Sequence, residues 1–246
     1  MLIAFFSDIH ANRQAFEACL VDARRRGAQR IVLLGDYVGY GADPEWVVDK
    51  TMELVGQGAL AVLGNHDSAI GNDRENLHED ARLVIGWTRG RLDVAQRDFL
   101  AALPYTIDEA PRLYVHADAS APKRWIYVAS KREAADSLAA TSATLTVCGH
   151  IHIPALYSMS AGGKLSHFTP ASNVPIPLLP GRRWLAVAGA VGQPRDGDPA
   201  AAYLLLDPEK NEITYCRCAY DVEAAAKAII AQGLPAWFGD RLLAGR

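Results

Sequence analysis

The chain reads as an α/β protein with two packed sheets and helices outside them, and three observations predict this. Through the first two-thirds, buried apolar runs alternate with amphipathic stretches of helical period. Through the last third, short alternating segments are separated by turn residues, the pattern of antiparallel hairpins. No linker, repeat or low-complexity tract divides them, so one domain is expected over residues 1–246, with a C-terminal helical segment at about 221–246.

Leu2 to Phe6 is a continuous apolar run and predicts a buried strand. From Asn12 the period changes: Phe16, Cys19, Leu20 and Ala23 fall on one helical face, and Gly27 ends the helix. Ile31 to Leu34 is a second buried run. Asp43-Pro44 then supplies an N-cap with proline at the first helical position. A third run, Leu60 to Leu63, precedes helices expected at about 79–89 and 94–103, the latter closed by Pro104. Leu113 to Val115 and Leu145 to Cys148 are further strands, with a helix at about 131–140 between them. Alternating segments follow near 155–159, 164–168, 184–188, 202–206 and 212–218, punctuated by Gly162-Gly163 and Asp207-Pro208. Val222, Ala225, Ala226 and Ile229 mark the face of a last helix.

Composition narrows the function. Half of the residues are hydrophobic and 22% are charged, enough for a substantial core. Twenty-five basic against 28 acidic side chains leave a net charge of −3, so no basic stripe is expected to bind a nucleic acid polymer. The first residues have no basic lead and turn acidic at Asp8, which predicts neither a signal peptide nor a membrane span and points to the cytoplasm. The cysteines, Cys19, Cys148, Cys216 and Cys218, include one Cys-x-Cys pair with no second pair to complete a zinc ribbon, and they read as buried thiols.

Each apolar run in the first part ends in residues that bind metals well. Asp8-Ile9-His10 follows the first, Gly35-Asp36 the second and Gly64-Asn65-His66-Asp67 the third; His116 follows Val115, and Gly149-His150-Ile151-His152 follows Cys148. Ligands of open α/β sheets collect at the carboxyl ends of the strands, so five such endings predict one crevice. Asp8 and His10 are two residues apart, as are His150 and His152, and in extended backbone each pair would point to one side. The glycines permit tight turns and close approach. Oxygen and nitrogen donors without thiolate suit Mn²⁺, Fe, Zn²⁺, Co²⁺ or Ni²⁺. The donors are too many for one ion and about right for two ions sharing a carboxylate. Singly, each motif is common as a plain turn; in this order, each after an apolar run, they point to a metal centre.

In sequence, Ser7-Asp8-Ile9-His10-Ala11-Asn12, Gly35-Asp36-Tyr37-Val38-Gly39-Tyr40-Gly41, Gly64-Asn65-His66-Asp67, His116 and Gly149-His150-Ile151-His152 resemble the signature of the calcineurin-like metallophosphoesterases. Gly192-Gln193-Pro194-Arg195-Asp196-Gly197-Asp198-Pro199 resembles a late motif of its small prokaryotic phosphodiesterase branch. The resemblance implies a four-layer α-β-β-α sandwich of two mixed sheets. It implies that Asp8, His10 and His152 hold one divalent metal ion, that Asn65, His116 and His150 hold a second, and that Asp36 bridges them. Manganese leads the expected metals. His66 would act on the leaving-group oxygen with Asp67 orienting its ring, and a metal-bridging hydroxide would attack phosphorus.

The protein-phosphatase members carry an arginine soon after the bridging aspartate and a glutamate after Asn-His. Here those places read Tyr37 to Gly41 and Asp67, which favours small phosphodiesters or nucleotides over phosphoproteins. Ala188-Gly189-Ala190 stands where the small members usually read Asn-Pro-Gly-Ser, and Ala117-Asp118 where they read Gly-Ser. Asn12, Tyr40 and Arg195 are the candidate substrate contacts. Tyr40 either lines the cleft or packs on its loop; Arg195 either meets a phosphate or pairs with Asp196 or Asp198. His78 and His167 match no ligand motif, and Ala236-Trp237-Phe238 with Arg241 reads as a packing element. The alternatives are a dinucleoside polyphosphate hydrolase, a phosphomonoesterase, and a non-catalytic scaffold that binds protein, against which the complete ligand set counts. A small phosphoester is the expected partner, no membrane is expected, and a homo-oligomer is compatible with the sequence.

Overall fold

The computed structural model describes residues 1–246 except Asp73 and Asn76. In chain order the elements are β1 (Leu2–Phe6), α1 (Arg13–Arg25), β2 (Ala28–Leu33), α2 (Pro44–Gly56), β3 (Leu60–Ala61), α3 (Asn65–Gly71), α4 (Glu79–Arg91) and α5 (Val94–Ala102). There follow β4 (Thr106–Glu109), β5 (Arg112–Val115), a 3-10 turn at Pro122–Arg124, α6 (Lys131–Ala139), β6 (Leu145–Cys148), β7 (Ala155–Ser160) and β8 (Leu165–Phe168). The last are β9 (Pro175–Pro177), β10 (Arg182–Val187), β11 (Ala201–Asp207), β12 (Glu212–Cys218), α7 (Val222–Ala231) and α8 (Ala236–Ala244).

Two mixed six-stranded sheets result, ordered β3-β2-β1-β11-β12-β9 and β4-β5-β6-β10-β7-β8. The continuous apolar run of β1 has its reason here, because both faces are covered. Ala4 and Phe6 pack outward with Phe16 of α1, while Ile3 and Phe5 pack between the sheets with Tyr114 and Val147. Phe5 meets Tyr114 edge-on at 5.4 Å, and Phe6 meets Phe16 edge-on at 5.9 Å. In the second sheet Leu185 and Val187 of β10 pack outward with Leu138 of α6, while Trp184 and Ala186 face the inter-sheet core. Each sheet thus has helices outside it, the expected four layers. Among the described residues no helix is long and apolar enough to cross a membrane.

Several expectations shift locally. The third run pairs only at Leu60 and Ala61, because the chain then turns into the site. Asn65-His66-Asp67 opens helix α3 instead of lying in a loop. β4 escapes the sequence pattern because Asp108 and Glu109 interrupt its apolar content. β9 escapes it because two of its three residues are proline, tolerated on an edge where ladder donors are not needed. The two hairpins signalled by Gly162-Gly163 and Asp207-Pro208 form as β7–β8 and β11–β12. All four cysteines are free and buried, and Cys19, Cys216 and Cys218 share the core outside the first sheet. The C-terminal helices pack Phe238 and Leu242 against Ala42 and Val84, which ties them to the loop after β2.

Candidate metal centre

The residues that follow β1, β2, β3, β5 and β6 converge. Ligand atoms of Asp8, His10 and His152 lie within 4.8 Å of one another, as do those of His10, Asp36 and His66, and those of Asp36, His116 and His150. All are buried. Asp36 belongs to two of these groups: its Oδ2 is 3.7 Å from His10 Nε2 and 3.4 Å from His116 Nε2. Its Oδ1 accepts from the backbone N–H of His66 at 2.9 Å, which leaves Oδ2 as the oxygen that can bridge.

Asp8 and His10 were expected to share a direction through extended backbone. They do so through left-handed backbone instead: Asp8, His10, Asp36, His150 and His152 have φ between 48° and 69°. Such a conformation disfavours an L side chain by roughly 1–2 kcal/mol, so five together mark a backbone shaped by what the side chains must reach. Two glycines make the approach possible. A Cβ at Gly64 would lie 2.2 Å from Asp36 Oδ1, and one at Gly149 would lie 1.8 Å from Ser7 Oγ and 2.6 Å from Asp8 Oδ2.

Backbone carbonyls set the histidine tautomers. Nδ1 of His10 lies 3.0 Å from Val38 O, Nδ1 of His116 2.7 Å from Leu34 O, and Nδ1 of His152 2.6 Å from Gln193 O. His150 uses its other nitrogen, with Nε2 at 2.9 Å from Trp125 O. A carbonyl only accepts, so each of these nitrogens donates, and the opposite nitrogen carries a lone pair. Those lone pairs face one another. His10 Nε2 is 3.1 Å from His152 Nε2, and His116 Nε2 is 3.1 Å from His150 Nδ1 and 3.2 Å from Asn65 Oδ1. Asp8 Oδ1, 3.3 Å from His152 Nε2, is buried with no hydrogen-bond donor. Bare nitrogens and carboxylate oxygens at these separations repel unless a cation lies among them, and carbonyl-anchored imidazoles are the usual outer support of metal ligands. The side chains therefore fit a pair of divalent ions.

The electrostatics agree. Burial alone would raise the pKa of Asp36, but His116 and His66 hold it well below the usual carboxylate range. Burial likewise opposes ionisation of Asp8, and His152 reverses it. Burial disfavours the charged form of His116, yet the Asp36 carboxylate raises its pKa to about 9. Burial and the charge of His116 lower His150 to about 3, and burial lowers His66 to about 4. A single proton on His116 can relieve one lone-pair contact, not all of them.

Two expected roles are corrected. Asp67 does not meet the His66 ring. Its Oδ2 accepts from the backbone N–H groups of Asp36 at 2.8 Å and Gly64 at 3.0 Å, and its Oδ1 from those of Tyr37 at 2.9 Å and Val38 at 3.3 Å. It pins the loop of the bridging aspartate to the start of α3. Burial and the charge of Asp36 push its pKa up to about 7, against the pull of those amides. Asn12, expected at the substrate, is instead fully engaged: its Oδ1 caps α1 at Ala15 N, and its Nδ2 donates to Gly192 O and Tyr220 Oη.

Tyr40 does face the site, with its ring 4.7 Å from those of His10 and His66 and 5.3 Å from Phe238. Arg195 is not paired with Asp196 or Asp198, because Arg217 takes both. Its guanidinium lies over Tyr40 at 5.7 Å, Nη2 donates to Gln193, and buried Nε has no partner. Sequence reasoning missed Trp125, Tyr127 and Gln193. Trp125 and Gln193 act through backbone carbonyls, which no side-chain pattern reveals. Tyr127 stacks on His150 at 4.2 Å, and His78, set aside as unassigned, lines the same cleft. His167 stacks on Tyr157, away from the site.

Comparison with known proteins gives a consistent answer. Residues 1–211 match the family model of the calcineurin-like phosphoesterase superfamily domain. The chain is 34% identical over 251 residues to an uncharacterized protein of Methanocaldococcus jannaschii, covering 100% of this chain and 98% of that one. It is 32% identical to a metallophosphoesterase from Sphaerobacter thermophilus of known crystal structure, covering 100% and 99% of the two chains with a TM-score of 0.88. A hypothetical protein from Pyrococcus horikoshii, 17% identical, shares the fold over 100% of this chain and 98% of that chain with a TM-score of 0.78.

Proposed function

This chain belongs to the calcineurin-like phosphoesterase superfamily, and from that premise we propose that it hydrolyses small phosphodiesters at a two-metal centre. The carrying observation is the set of inward lone pairs around Asp36 Oδ2, each fixed by a hydrogen bond on its outer side. Asp8, His10 and His152 hold one ion; Asn65, His116 and His150 hold the other; Asp36 bridges them. Manganese suits these donors, with iron, zinc, nickel and cobalt as competitors. When bound, the two ions supply Lewis acidity to the phosphoryl oxygens and activate a water for in-line attack.

The chain's own residues do the rest. His66 stands beside the cluster and directs a ring N–H to the departing ester oxygen. Asp67 keeps the bridging loop and α3 in register, so that Asp36 and His66 hold their separation. Arg195, with an unpartnered buried Nε at the cleft, meets a nonbridging phosphate oxygen. Tyr40 closes the side of His66 and keeps bulk water from it. A diester is favoured over a phosphoprotein because Tyr37 to Gly41 offers no arginine clamp. The cleft also continues beyond His66 into a cavity of about 200 Å³, room for a second ester substituent. The test is to reconstitute the protein with each metal, measure ions per chain, and compare bis(4-nitrophenyl) phosphate with 4-nitrophenyl phosphate and diadenosine tetraphosphate. Two ions per chain and faster turnover of the simple diester are expected; no hydrolysis with any metal would sink the reading.

A further inference from the structure

The cavity beyond His66 has walls of a particular chemistry. Leu77 and His78 form one side, and Arg124, Trp125 and Tyr127 the other. Tyr127 lies flat on His150, with ring planes 6° apart, and is 46% exposed. Among the described residues no second ring covers its other face. Trp125 is fixed at both ends. Its carbonyl holds His150, and its indole N–H donates at 2.9 Å to Glu75, which also accepts from Ser68 at 2.7 Å. Its backbone is left-handed, at φ 52°, a shape that lets carbonyl and indole serve these two partners. Arg124 is exposed, and among the described residues no carboxylate, carbonyl or ring pairs with its guanidinium. The site thus presents prefixed aromatic surface, one open π-face and an uncommitted cation, all beside the residue that faces the departing oxygen.

We propose that this cavity is a nucleoside subsite, in which a base lies against Tyr127 and Trp125 while Arg124 meets its acceptor atoms. The inference rests on the reading of the metal centre above and adds the substrate class to it. At about 200 Å³ the cavity is smaller than sites that enclose a whole drug-sized ligand, roughly 300–1,000 Å³, so it admits one ring system rather than a second nucleotide. Stacking suits a base because every base has a π-face, and a guanidinium can bond its acceptor edge without fixing its identity.

The test is calorimetry on the manganese-loaded protein with inorganic phosphate, ribose 5-phosphate and adenosine 5′-monophosphate. Phosphate reports on the metals alone, and the two sugar phosphates differ only in the base. The nucleotide is expected to bind about tenfold or more tightly than ribose 5-phosphate. Tyr127→Leu, which keeps apolar cover over His150, and Arg124→Ala, at an exposed position, should each reduce that ratio severalfold with two ions per chain still bound. Equal affinity for the two sugar phosphates in the wild type, or a ratio unchanged in both variants, would overturn the subsite and leave the metal centre standing. If phosphate itself fails to bind, the metal-centre reading falls and the subsite with it.

Discussion

The floor and the rim of the cleft are built by different means. On the floor, Asp8, Asp36, His116, His150 and His152 follow strand ends that are buried on both faces, and carbonyls or amides fix the outer atom of each side chain. At the rim, Tyr40, His78, Arg124 and Tyr127 stand on loops, and their positions depend on neighbours far along the chain, Phe238 for Tyr40 and His150 for Tyr127. The floor cannot shift without breaking sheet pairing. The rim can change residue by residue, and the contrast suits a centre of constant chemistry beneath a variable substrate site.

The sharpest way to break this contrast is at the shared carboxylate. Asp36→Asn keeps the shape but removes the charge both ions need, so metal content by atomic emission and turnover should fall together, turnover by at least about a thousandfold. Full metal occupancy in that variant would mean the floor does not work as a bridged pair. His66→Ala comes next: two ions per chain should remain while kcat falls about 10²–10⁴-fold, the usual range for a lost general acid. An unchanged kcat would remove His66 from the reaction.

At the rim, Phe238→Ala removes a fully buried ring from the C-terminal helices and should lower stability by about 3–5 kcal/mol in denaturant melts. Because Phe238 backs Tyr40, KM for the diester should rise more than metal content falls; the reverse would place Tyr40's support on the floor. The smallest effect is expected away from both. Asp22 accepts from Tyr203 at 2.7 Å, Arg25 at 2.6 Å and Arg26 at 2.7 Å. Burial opposes its ionisation, but these donors carry its pKa below the ordinary value. Its contribution is therefore present above the unfolded pKa near 4 and lost as pH falls through the folded value. Asp22→Asn should cost about 1–2 kcal/mol at pH 7, and the gap from the wild type should close in acid. A gap that widens in acid would reverse the sign.

Much of the floor was legible. The apolar runs, the glycines after them and the ordered Asp, Asn and His residues are local signals, and each lies where its strand ends. Its supports were not legible, because Val38, Leu34, Gln193 and Trp125 contribute carbonyls that any residue carries. Asp67 shows the same gap from the other side. Its place next to His66 suggested a partner for that ring, but the turn into α3 aims it at four amides across the loop. Asn12 was misread because a residue at the edge of a ligand motif is also where a helix needs its cap.

The sequence by itself determined the two-sheet α/β fold and the donor set, since apolar periodicity and residue type act over a few neighbouring positions. Only the tertiary structure decided which nitrogen of each histidine turns inward, which tyrosine has a free face and which arginine is left unpaired. Those depend on groups 25 to 200 positions apart, such as Trp125 with His150 and Asn12 with Tyr220, and no local pattern encodes a contact that exists only after the sheets have packed.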